Sequence, residues 1–271
     1  MTTTEILNRK GARKQDAIPA EVLALLNKGE LETVNLTEWL TIDQIQLIEA
    51  VFPTLNLSPI IEVIKEAVYK EKKKTTMVLT KLIGGLVYEY GTKTNSLSSI
   101  INDFSIHKSD SIRCYVPYLI SLNSQLTIVE KLNQSKKLIA DSHFGVREIV
   151  WMALRPEIVE NLSKSILFLT TWTSHKNENI RRFTTEVTRP RGVWCKHIET
   201  LKEKPEQALI ILENLKSDES RYVQNSVANW LNDASKTQPN FVIDLCHKWE
   251  LESSTKETKY IVKRALRSLN K

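Results

Sequence analysis

The chain has 271 residues, 41% hydrophobic and 26% charged, which is enough apolar material for a large core and excludes a disordered polymer. Only 7 Gly and 8 Pro argue against a many-stranded sheet with tight turns, while plentiful Leu, Ile, Lys and Glu favour helices. A formal charge of +6 suits an anionic partner; three scattered cysteines (Cys114, Cys195, Cys246) without metal-ligand spacing exclude a zinc finger and fit a reducing compartment.

The opening MTTTEILNRKGARKQD lacks the apolar core of a signal peptide. The longest apolar stretches, such as 165–172, are too short to span a bilayer, so a cytoplasmic protein with no membrane partner is expected. Residues 1–17, with Arg9, Lys10, Arg13 and Lys14, predict a basic arm or a frayed first helix, and residues 18–271 a single helical-repeat domain. From Pro19 to Val68 apolar residues recur at helical spacing (Val22, Leu25, Leu26, then Ile42, Ile45, Ile48, Phe52), with Pro53 and Pro59 as breaks. The run KEKKK at 70–74 invites a phosphate-binding reading but is taken as a solvated helix end or loop.

The second half repeats itself. A polar start, then Val or Ile beside a basic or polar residue, then an apolar helix, recurs at Ile112-Arg113, Val146-Arg147, Ile180-Arg181 and Val223-Gln224. The apolar positions are separated by 34, 34 and 43 residues, the period of two-helix repeats. Asp or Asn starts each unit as a cap, the Val or Ile packs inward, and the neighbouring Arg recurs at one height. The pattern predicts an all-α, HEAT-like helical-repeat solenoid, an α-α superhelix. A ladder of Arg113, Arg147, Arg181 and Arg182, extended by Arg189, Arg191 and Arg221, then has two readings: cations for the phosphates of a polyanion, or pairs that tie neighbouring helices together. Spacing alone does not choose between them.

Three stretches carry polar residues where a generic repeat would not place them. In FGVREIVWMALRP, Glu148 accompanies Arg147 and Trp151, one helical turn apart. In 172–194, Glu178, Arg182 and Glu186 share one helix face, Pro190 ends the pattern, and Trp172 and Trp194 flank it. In 222–233, Asn225, Asn229 and Asp233 form a similar row. Carboxylates stabilise developing positive charge, indoles attract cations and arginines hold phosphates. No catalytic triad, Gly-rich phosphate loop or metal-ligand pair is present, so no metal and no cofactor are expected.

The segments NENIRRFTTEVTRPRGVW, SVANWLNDASKTQP, VREIVWMALRP and VNLTEWLTIDQ resemble the characteristic stretches of AlkC-type alkylpurine DNA glycosylases, over residues 30 to the C-terminus. The resemblance implies a monomeric enzyme of DNA base-excision repair that excises cationic bases such as 3-methyladenine and 3-methylcytosine from double-stranded DNA, without flipping the base into a deep pocket, and that associates with the nucleoid. It implies Asp233 as the catalytic carboxylate, with Glu186 and Glu148 as further acidic pocket groups. Trp194, with Trp151 and Trp172, would contact the lesion, and Arg147, Arg181, Arg182, Arg189 and Arg191 the phosphates. The sequence departs from the family pattern at Gly192-Val193, where Leu-Pro is expected, and at Val187, where Gly is usual. The helix-like ending TKYIVKRALRSLNK implies that the immunoglobulin-like C-terminal domain of some members is absent. Two alternatives stand beside this reading: a catalytically silent binder of damaged or branched DNA, and a protein-binding scaffold.

Overall fold

The structure, a computed structural model, describes residues 2–269, and every regular element among them is helical. The protein is an all-α helical-repeat protein. In chain order the helices are α1 (Thr3–Leu7), α2 (Ala20–Asn27), α3 (Leu36–Thr41), α4 (Gln44–Val51), α5 (Ile61–Lys70), α6 (Thr76–Lys93), α7 (Leu97–Ser105), α8 (Asp110–Arg113) and α9 (Val116–Ser121). There follow α10 (Ile128–Ile139), α11 (Phe144–Glu160), α12 (Leu162–Thr170), α13 (Glu178–Glu186), α14 (Glu199–Glu203), α15 (Leu209–Leu215), α16 (Arg221–Ala234), α17 (Pro239–Glu252) and α18 (Lys256–Ala265). Contacts divide the chain into two compact units, one of residues up to 125 with 141–153, the other of 126–140 with residues from 154 onward.

Local chemistry explains the boundaries in the first unit. Asn35 and Asp43 accept from backbone N–H groups at the starts of α3 and α4, satisfying donors that a helix cannot pair internally. Gly29 ends the turn after α2 at φ +71°, a left-handed conformation that a side chain resists. The first residues, expected as an arm or frayed helix, form α1 under a Thr2/Glu5 capping box, and Arg9 grips Glu38 with Nε at 2.9 Å and Nη2 at 2.7 Å. Phe52, Phe104 and Tyr115 meet at ring-centroid distances of 5.7–6.5 Å in the core. Burying each such ring contributes on the order of 1.5–3 kcal/mol.

In the second unit α16 packs against both α13 and α18, and α12 against α15. The repeated apolar positions turn inward as the sequence requires: Ile180 of α13 and Val223 of α16 are buried, as are Ile112 and Val146 in the first unit. Trp230 and Trp249 are fully buried, and the Trp230 indole N–H donates to the Thr188 carbonyl at 3.0 Å. Pro239 begins α17, where its missing N–H costs nothing. Among the described residues no helix is long and apolar enough to cross a membrane.

Candidate active site

α13 and α16 are packed neighbours in the second unit, and each carries a carboxylate in its last turn: Glu186 ends α13, and Asp233 is the penultimate residue of α16. A negative charge there opposes the helix dipole, so each carboxylate needs a cation. Arg189, three residues past α13, supplies it to both. Its Nη1 donates to Glu186 Oε1 at 2.8 Å, while Nε and Nη2 donate to Asp233 Oδ2 at 2.9 and 2.7 Å.

The two carboxylates are nevertheless held differently. Glu186 Oε2 receives the Ser226 hydroxyl at 2.7 Å, and Thr185 in turn donates to Ser226 Oγ at 2.7 Å. Arg182 Nη2 lies 3.5 Å from the same Oε2, with its guanidinium 4.4 Å from the Tyr222 ring centre. Burial alone would raise the Glu186 carboxyl, but the charges of Arg182 and Arg189 and the two hydrogen bonds outweigh it and hold the group below the usual carboxylate range. Glu186 is thus a fixed anion with both oxygens engaged. Asp233 is held less fully: among the described residues Oδ1 meets only the Lys236 ammonium at 3.2 Å, on a half-exposed side chain.

The loop after α13 is fixed by backbone contacts. Arg155 donates to the carbonyls of Val187 at 2.8 Å, Arg189 at 2.5 Å and Lys196 at 3.1 Å, and Arg191 Nε donates to the Asp233 carbonyl at 3.3 Å. A Cβ at Gly192 would stand 2.4 Å from Cys195 Sγ and 3.1 Å from the Arg155 guanidinium, so a larger residue there would displace those side-chain ends. The Gly192-Val193 departure therefore belongs to this loop's packing. Trp194 follows at φ +61°, a backbone conformation that costs a bulky residue on the order of 1 kcal/mol, and its indole is 60% exposed.

Other expected site residues are placed otherwise. Trp151 is 1% exposed, and its indole N–H donates to Glu148 Oε2 at 2.9 Å, so this pair belongs to the first unit. Trp172 is buried against Phe168 and Phe183, with the Lys136 ammonium 5.4 Å from its ring centre. Burial turns the faces of both indoles to the core, and of the three expected aromatics only Trp194 faces solvent. Arg181 is a bracing residue. Its Nη1 donates to the His175 and Lys176 carbonyls at 2.9 and 3.3 Å, and its Nε and Nη2 grip Asp218 at 2.6 and 2.9 Å. Arg147 folds back in the same way, donating to the Asp141 and Ser142 carbonyls at 2.6 and 2.7 Å.

Ser226, Thr185, Lys236 and Arg155 complete the site and were not singled out in the sequence. Ser226 left one signal, a small polar residue on the otherwise apolar face of α16. Among the described residues no group of three or more His, Cys, Asp or Glu could hold a metal ion.

Residues 130–269 match the family described as DNA alkylation repair enzyme. Over 119 residues the chain is 44% identical to the uncharacterized protein YhaZ of Bacillus subtilis, covering 44% of this chain and 33% of that one. The fold is similar to that of Pseudomonas fluorescens alkylpurine DNA glycosylase AlkC, solved bound to DNA containing an abasic site analog, with TM-score 0.67 and 21% identity over 96% of this chain and 66% of that one. It is also similar to AlkD2 of Streptococcus mutans, with TM-score 0.58 and 23% identity over 75% of this chain and 97% of that one. The chain thus spans a third of the curated relative and just under two thirds of the first of these structures.

Proposed function

From the premise that this chain belongs to the DNA alkylation repair enzyme family, we propose that it is a DNA glycosylase acting as a monomer on duplex DNA to release cationic N-alkylated bases of the 3-methyladenine and 3-methylcytosine type. The observation that carries the proposal is the pair of helix-terminal carboxylates joined by Arg189, with Asp233 Oδ1 met by the half-exposed Lys236 ammonium.

The chemistry asks little of the protein. An alkylated base is already positively charged, so it leaves with the electron pair of the C1′–N bond as a neutral molecule and needs no general acid. The sugar left behind carries the positive charge. Asp233 Oδ1 stabilises that oxocarbenium-like centre and accepts a proton from the water whose oxygen bonds to C1′. Arg189 is the positioning residue: it holds Oδ2, which leaves Oδ1 at a fixed height. Glu186 stays anionic and keeps the Arg189 guanidinium in place. Trp194, exposed beside this loop, offers an indole face to a cationic base. Neither a metal nor a cofactor has a step to perform.

The test is base release from methylated duplex by the wild-type protein and by Asp233→Asn. Asn keeps the size and can still accept from Arg189, but it carries no charge. Release of 3-methyladenine is expected to fall by at least about 10²–10³-fold, with affinity for duplex DNA kept within a few-fold. Full activity in Asp233→Asn would overturn the assignment.

A further inference from the structure

Most arginines expected to meet phosphates are engaged within the protein itself. Arg181 is spent on Asp218 and two carbonyls, and Arg189 on Glu186 and Asp233. Three other arginines of the second unit have no such partner. Arg221 begins α16, Arg264 lies in the last turn of α18, and Arg267 lies in the short turn after it.

Two of the three meet on one side chain, and the third lies beside them. The Arg221 guanidinium stacks 3.5 Å from the Tyr260 ring centre, and that of Arg264 lies 5.6 Å from the same ring. The Tyr260 hydroxyl donates to Asn225 Oδ1 at 2.8 Å, and Arg267 Nη2 donates to Asn229 Oδ1 at 3.0 Å. Arg267 Nη1 donates to the Arg264 carbonyl at 2.6 Å. Every partner is neutral: among the described residues the ion pairs of α13, α16 and their loops fall on Arg181, Arg182, Arg189 and Lys236, and none on these three. The Arg264 Nε is buried without any hydrogen-bond partner. Burial and the neighbouring Arg264 charge push the Arg267 guanidinium down from its ordinary value.

Arg264 and Arg267 repel one another, and the nearby Asp233 charge offsets this at Arg267 without forming an ion pair with it. An oxyanion docking beside Arg221 and Arg267, both exposed, relieves that repulsion. Tyr260 stacks on the Arg221 guanidinium, which leaves its N–H edge for bidentate hydrogen bonds to phosphate. The row follows α16 as well: Arg221, Asn225, Asn229 and Asp233 lie four residues apart on one stripe. From Arg221 to Asn229 the helix rises about 12 Å, a distance along which one DNA strand carries roughly three phosphates.

We propose that Arg221, Arg264 and Arg267 form a phosphate-binding row that takes the DNA backbone where it approaches Asp233. The proposal rests on the reading of this protein as a DNA glycosylase, and it adds the contact that sets the strand's register without reading its sequence.

The experiment measures binding of the full chain to undamaged duplex DNA between 50 and 200 mM salt, which are conditions of the order over which counterion release is resolved. Arg264→Gln/Arg267→Gln is expected to bind about tenfold or more weakly at the low-salt end, with the slope of log K against log salt shallower by about 2. Arg264→Lys/Arg267→Lys, which keeps both charges, is expected to retain the slope. If the Gln pair melts early, Arg221→Gln alone, on an exposed side chain, is expected to lower the slope by about 1. A wild type that binds DNA, with variants that match it in affinity and slope, overturns the row and leaves the glycosylase reading standing. A wild type that neither binds duplex DNA nor releases a base overturns both.

Discussion

Arg181 and Arg189 lie eight residues apart, both largely buried and both holding carboxylates, yet they do different work. Arg181 donates to the carbonyls six and five residues before it and grips Asp218. Arg113 does the same in the first unit, with His107, Lys108 and Asp141. At the fourth instance Gln224 stands in place of arginine and still donates to the carbonyls of Asp218 and Glu219 at 2.7 and 3.4 Å. What the arginines and Gln224 share at this position is the hydrogen bonding to the preceding loop; Arg113 and Arg181 add a grip on a carboxylate. Arg189 differs: among the described residues it reaches no backbone carbonyl, and it joins two carboxylates from different helices. What recurs along the chain braces the repeats, and what departs from the recurrence marks the candidate site.

Two substitutions sharpen or break that contrast. Arg181→Met leaves Asp218 buried beside polar carbonyls with no cation, so equilibrium unfolding in urea is expected to register a loss of about 3–5 kcal/mol. Arg181→Met/Asp218→Leu is expected to recover much of it, because the stranded charge goes as well. A stable Arg181→Met protein that had lost its affinity for DNA would return Arg181 to the phosphate contacts and collapse the distinction. Arg189→Gln is expected to slow base release at saturating DNA by about a hundredfold, or 2.7 kcal/mol. Arg189→Lys should recover part of the rate, since one ammonium can serve one carboxylate but not both. Equal rates in wild type and Arg189→Gln would make Arg189 one more brace.

The same contrast explains what could be read in the sequence. The 34-residue spacing of Ile112, Val146 and Ile180 follows from packing, which obeys residue type and period, and all three side chains are buried. The stripe Asn225, Asn229, Asp233 likewise follows one helix, with Asp233 in its last turn. The direction of a guanidinium was not legible. Arg181 carries the same spacing whether it points outward to phosphate or folds back, and its carbonyl acceptors exist only once the loop has closed. Trp151 was misplaced for a related reason, because its i, i+4 relation to Arg147 suggests a polar stripe while the indole packs into the core. Trp194 lies in a loop without a period, and its left-handed backbone depends on contacts around Gly192 that involve Arg155, more than thirty residues earlier.

The smallest effect concerns Glu186 and follows from its charge. Arg182, Arg189 and two hydrogen bonds overcome the burial that would otherwise raise its carboxyl, so the folded protein binds the proton less readily than the unfolded chain. A carboxyl depressed in the folded state contributes stability that is present in full above its unfolded value, about 4.3, and is lost as pH falls through the folded value. Glu186→Gln lacks this contribution at every pH. Its Tm is therefore expected to lie below that of the wild type by a constant margin from pH 8 to about 5, worth on the order of 1 kcal/mol for charged hydrogen bonds replaced by neutral ones. The margin should narrow as the pH falls further, because the wild type then loses the same charge. Arg181→Met offers the control, since Asp218 rather than Glu186 is stranded there. A margin that widened in acid would mean that Glu186 is held as the neutral acid, and Arg189 would then have only Asp233 to position.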